Sequence, residues 1–128
     1  MLALGFSKWF VCGSDMSRVA LVVDDDPAVL EVITDLLKDL GCEVISARSG
    51  VDALATLAKD WRIELLITDI NMPVFTGYEL AEKAKRVRRG LKVILLSGRE
   101  SDSHGFPLIR KPFSKDDLAR VMKQTASL

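Results

Sequence analysis

The chain has 128 residues, enough for one domain with its own core. Its 18 Lys and Arg residues balance 18 Asp and Glu residues, so no net field draws it to nucleic acid or to an acidic membrane, and 48% apolar content suits a globular fold. No apolar run approaches the ~20 residues needed to cross a bilayer, and two cysteines, Cys12 and Cys42, make no disulfide framework and favour a reducing, cytoplasmic setting.

Residues 1–17 are mildly apolar, with Leu2, Leu4, Phe6, Trp9, Phe10 and Val11, but lack a basic start and a small-x-small cleavage site. They read as a flexible N-terminal extension, with one domain over 18–126. Val19–Val23 (VALVV) is a strand buried on both faces. Asp26 caps a helix that opens on Pro27, carries Val29, Ile33, Leu36, Leu37 and Leu40 at helical spacing, and stops at Gly41. Glu43–Ala47 is a second strand. Ser49 and Asp52 resemble a capping box for a helix running to about Asp60. Ile63–Thr68 is a third buried strand, ending at Asp69, with Trp61 expected to cap the core beside it. A helix from Gly77 to about Arg88 follows, then a strand over Lys92–Leu96. Pro107–Arg110 is a short fifth strand, and Ser114 with Asp117 caps a last helix to about Thr125. The basic cluster of Lys83, Lys85, Arg86, Arg88, Arg89 and Lys92 reads as a solvated helix end. His104 is a lone loop histidine.

Alternating strands and helices imply a doubly wound α/β fold, whose site lies outside the carboxyl ends of its strands. Asp24 and Asp25, Asp69, Ser97 and Lys111 all fall on that rim. Clustered carboxylates repel, at about 4 kcal/mol for a pair ~4 Å apart in an effective dielectric of 20. A hard divalent cation such as Mg²⁺ removes that cost. A carboxylate flanked by a metal, a lysine and a hydroxyl suits phosphoryl transfer.

The motifs VVDDDP, ITDINMP, LLSG and RKPF resemble those of response-regulator receiver domains, and the likeness covers about Val19 to Lys123. It implies a flavodoxin-like five-stranded parallel sheet in the order 2-1-3-4-5. It also implies that Asp69 accepts a phosphoryl group. Asp24, Asp25, Asp69 and the backbone carbonyl of Asn71 would form the Mg²⁺ site, with Asp25 a direct ligand and Asp24 mostly behind it. Ser97 and Lys111 would contact phosphoryl oxygens, and the Lys111–Pro112 bond would be cis. The donor would be a histidine kinase or histidine phosphotransfer protein, and output would pass to a downstream protein, with no role for nucleic acid or membrane.

Two departures stand out. The aromatic expected three positions before the lysine is Leu108, with Phe106 two positions earlier and able to share its face only if the strand pairs in register. Only 13 residues separate Ser97 from Lys111. Nine of them, Gly98 to Phe106, must make the crossover, too few for a full helix. The helix before the fifth strand is therefore expected to be shortened or missing, a pattern closest to receivers of hybrid histidine kinases. Phosphorylation is then expected to reorder loops 98–106 and 72–76, and the protein to be a monomer or weak dimer. Rival readings are weaker: a haloacid-dehalogenase-type phosphatase also needs a cap or an extra acidic loop, for which this chain has little room, and no nucleotide-binding glycine motif occurs. The remaining alternative is a pseudo-receiver that docks partners without phosphorylation.

Overall fold

The structure, a computed structural model, describes residues 18–99 and 102–126; the expected extension over residues 1–17 lies outside them. The elements are β1 (Val19–Val23), α1 (Pro27–Asp39), β2 (Glu43–Ala47), α2 (Gly50–Lys59), β3 (Ile63–Asp69), α3 (Gly77–Val87), β4 (Lys92–Ser97), β5 (Leu108–Arg110) and α4 (Lys115–Ala126). All strands are parallel, in the order β2-β1-β3-β4-β5. This is the flavodoxin-like arrangement the motifs imply.

Because side chains alternate along a strand, the apolar runs feed two cores. Leu21, Val23, Leu66 and Val93 pack with Leu57 of α2 and with Leu80 and Ala84 of α3. Ala20, Val22, Leu65, Ile67, Ile94 and Leu96 face the other way, against Ile33 and Leu37 of α1 and Leu118 and Met122 of α4. Each helix starts where a side chain satisfies its free amides. Asp26 accepts from Ala28 at 2.9 Å and Ser49 from Asp52 at 3.1 Å. Ser114 and Asp117 bond reciprocally. Thr76 and Glu79 form a further capping box that opens α3. Gly41, at φ +89°, takes the left-handed conformation just past the end of α1.

Between β4 and β5 the described residues contain no helix. The chain turns there instead, with Phe106 N–H donating to the Ser103 carbonyl at 2.9 Å and with His104 and Gly105 both at positive φ. Leu95 pairs with Leu108 in register, and Phe106 and Leu108 both pack half-buried on the α2/α3 side of the sheet. They cover part of what a crossover helix would cover.

Two sequence expectations need correction. Trp61 does not cap the core: it is 82% exposed, in a turn whose inward positions on either side are filled by Leu57 and Ile63. Arg88 is not a solvated helix end. It is half-buried, and its guanidinium donates to the carbonyls of Leu57 (2.7 Å), Asp60 (3.2 Å) and Ile63 (2.7 Å), stitching the end of α3 to the α2–β3 turn.

Candidate phosphoacceptor site

Strand geometry delivers four of the rim groups. Asp24 follows β1, Asp69 ends β3, Ser97 ends β4, and Lys111 follows β5. Asp24 and Asp69 are almost fully enclosed, at 1% and 7% exposure, whereas Asp25 is exposed. Oxygens of Asp24, Asp25 and Asp69 lie within 4.8 Å of one another. The Lys111 ammonium reaches across to Asp69 Oδ1 at 3.2 Å and Asp24 Oδ2 at 3.4 Å. Ser97 is fully buried, and its carbonyl accepts the Lys111 N–H at 2.7 Å, which locks the lysine to the end of β4. The Lys111–Pro112 bond is cis.

The electrostatics follow from this packing. Burial pushes the Asp24 carboxyl up, and the nearby Asp69 charge adds to the rise; the Asp26 N–H and Lys111 oppose it without cancelling it. Burial alone would lower Lys111, but the charges of Asp69 and Asp24 and their hydrogen bonds outweigh it, so its pKa is raised. The lysine therefore stays cationic through the neutral range.

A cleft of about 330 Å³ opens over the acceptor, lined by Asp69, Asn71, Gly98, Arg99 and Lys111. Arg99 escapes the sequence reading, since a loop cation after a strand has no spacing to mark it. Behind the cleft the fold is tight. Gly77 N–H donates to the Ile70 carbonyl at 2.7 Å, and a Cβ at Gly77 would lie 2.4 Å from the Asp69 carbonyl oxygen. Only glycine lets α3 begin so close to the acceptor.

The donor set fits a hard divalent cation. Three carboxylates converge, oxygen is the ligand type Mg²⁺ prefers, and one of the three, Asp25, is exposed to solvent. Asn71 lines the same cleft. The family described as "Response regulator receiver domain" matches residues 20–123, and the chain belongs to that family, a module of two-component signalling. Protein PilG of Pseudomonas aeruginosa is 32% identical over 117 residues, covering 80% of this chain and 83% of its own. Sensor histidine kinase RcsC of Escherichia coli is 39% identical over 116 residues, covering 84% of this chain but 12% of its own. The chain likewise spans 24% of the transcriptional regulatory protein GlrR of Escherichia coli. Among solved structures, the receiver domain from the hybrid histidine kinase CckA superposes with a TM-score of 0.74 at 34% identity, covering 84% of this chain and 97% of the other. A CheY-like receiver from Methanospirillum hungatei gives 0.79 at 31% identity, covering 87% and 94%.

Proposed function

We propose that this receiver takes a phosphoryl group onto Asp69 with Mg²⁺, from a histidine kinase or histidine phosphotransfer protein, and signals through protein contacts. The observation that carries the reading is the convergence of three carboxylates on one point with an ammonium 3.2 Å from Asp69. Such a cluster is costly unless it holds cations and handles anionic oxygens.

In this reading an Asp69 oxygen attacks the phosphorus of a phosphohistidine. The P–N bond breaks, its electron pair returns to the imidazole nitrogen, and that nitrogen takes up a proton. The product is an acyl phosphate, and water later regenerates the carboxylate and releases inorganic phosphate. Asp25, Asp69 and the Asn71 carbonyl would hold Mg²⁺, with Asp24 behind them, and the bound ion would supply charge neutralisation for the transferred group. Lys111 holds one flank of the phosphoryl oxygens and the Ser97 hydroxyl another. The domain promotes its own phosphorylation and slow hydrolysis and is not a turnover enzyme. Among the described residues no helix is long and apolar enough to cross a membrane, and the donor chemistry places the domain in the cytoplasm in this reading.

The test is intact-mass measurement after incubation with acetyl phosphate and Mg²⁺. One phosphoryl group should appear in the wild type and none in Asp69→Asn. Labelling that survives the substitution at the wild-type level moves the acceptor elsewhere. A wild type that never labels, with either acetyl phosphate or phosphoramidate, leaves a docking module that works without phosphorylation.

A further inference from the structure

Among the described residues, the loop between β4 and β5 meets α3 at Tyr78. The rings of Tyr78 and His104 stack with centroids 3.7 Å apart and planes 12° from parallel. The Tyr78 hydroxyl donates to the Asp102 carbonyl. The Asp102 carboxylate accepts the His104 N–H at 3.0 Å and lies 3.3 Å from His104 Nε2. His104 has φ +50°, a conformation a histidine holds at some cost unless contacts fix it. Three residues thus share a stack, two hydrogen bonds and a close imidazole–carboxylate contact.

This anchor is one residue from the acceptor's own wall. Tyr78 follows Gly77, which is pressed against the Asp69 carbonyl and bonded to Ile70. The other end of the same loop, Gly98 and Arg99, lines the cleft over Asp69. Both ends of the loop therefore report on one carboxylate, while Leu108 has neither a ring nor a polar tip.

We propose that Tyr78 is a positioning residue of the switch: its stack on His104 and its bond to the Asp102 carbonyl couple occupancy of Asp69 to order in residues 102–107. The inference rests on the phosphoacceptor reading above. Anionic oxygens over Asp69 add contacts for Arg99 and the 98–99 backbone, and an already ordered loop makes those contacts at lower entropic cost. Occupancy and latch closure then favour each other, and the coupling must be reciprocal.

Beryllofluoride with Mg²⁺, applied to the full chain, is the probe. Amide exchange at His104, Gly105 and Phe106 reports the latch, and beryllofluoride affinity reports the site. In Tyr78→Leu, which loses ring and hydroxyl, exchange at these amides should rise about tenfold in the free protein, the combined scale of one stack and one hydrogen bond. Beryllofluoride should bind roughly five- to tenfold more weakly. Tyr78→Phe keeps the ring and should fall between, and His104→Phe, which also keeps a stack, should lie closer to the wild type than His104→Ala. Faster exchange with affinity unchanged or tightened in Tyr78→Leu would make the contact merely structural and overturn the proposal. Unchanged exchange in that variant overturns it too. If the wild type binds no beryllofluoride, the phosphoacceptor reading fails and the coupling falls with it; if only the variant's affinity matches the wild type's, the coupling fails alone.

Discussion

Lys111 makes the acidic cluster tolerable and also competes with whatever else the cluster holds. Its ammonium sits 3.2 Å from Asp69 and 3.4 Å from Asp24, so a divalent ion entering among the same carboxylates meets a like charge a few ångströms away. Lys111→Ala should therefore bind Mg²⁺ about tenfold more tightly, ~1.4 kcal/mol, while accepting a phosphoryl group far more slowly. Calorimetric titration checks the first half and intact mass the second; weaker Mg²⁺ binding in the variant would show that the lysine supports the metal site instead. The pH dependence has a definite sign. Asp24 has a folded-state pKa above its ordinary 3.8, chiefly through burial. Its charged form thus costs stability above that folded pKa, and protonation relieves the cost as pH falls through it. Mg²⁺ needs the carboxylates ionised, so its affinity should start to fall, on acidification, at a higher pH than an ordinary aspartate would set. Titrations at stepped pH test this, and an affinity constant down to pH 4 would contradict it.

Arg88 shows how one side chain can join three elements. It leaves the end of α3 and donates to carbonyls at the end of α2, in the following turn and at the start of β3. Arg88→Ala strands these acceptors and should cost about 2 kcal/mol, with Arg88→Lys recovering less than half because an ammonium cannot span all three. The shift in urea midpoint measures it, and a loss under 0.5 kcal/mol would make the contact incidental. Such a role is not legible in sequence, where Arg88 is one cation in a basic run; the carbonyls it serves lie 25 to 31 positions away. Strands and helices are legible because apolar runs and caps are local. VALVV and IELLITD have few alternatives to a buried parallel strand, and Asp26, Ser49 and Ser114 cap as their spacing suggests. That the described residues hold no helix between β4 and β5 is also legible, since nine residues are too few for a full one. Trp61 misleads because a large apolar residue beside a buried strand looks like core, while Leu57 and Ile63 already fill that space. Of the site, the residues that end strands could be read from the pattern. Arg99, and the Tyr78–His104 contact, join segments that only the fold brings together.

At the scale of the whole molecule, the absent helix decides what kind of surface remains. Where it would lie, between α3 and α4, the structure has a groove of about 420 Å³ whose lining includes Lys85 and Lys92 beside Leu91, Val93, Phe106 and Pro107. Leu91 and Val93 are buried, and Phe106 and Pro107 only half-buried, so this face offers little apolar area. Among the described residues the exposed large apolar side chains lie on other segments: Val32 on α1, Val51 on α2, Trp61 in the turn before β3, Val74 in the loop after it, and Val87 at the end of α3. A stable homodimer usually buries about 800 Å² from each partner around a contiguous apolar centre. Total accessible surface is 6867 Å², so one face would have to supply more than a tenth of it, whereas the exposed large apolar side chains among the described residues belong to five different segments. Sedimentation velocity should accordingly show a monomer at tens of micromolar, both free and with beryllofluoride and Mg²⁺. The change on loading the site should be confined to the loops around it, an order–disorder shift more than a helix displacement. A mimic-induced dimer whose amide protection maps to residues 102–126 would show that the shortened crossover still builds an interface.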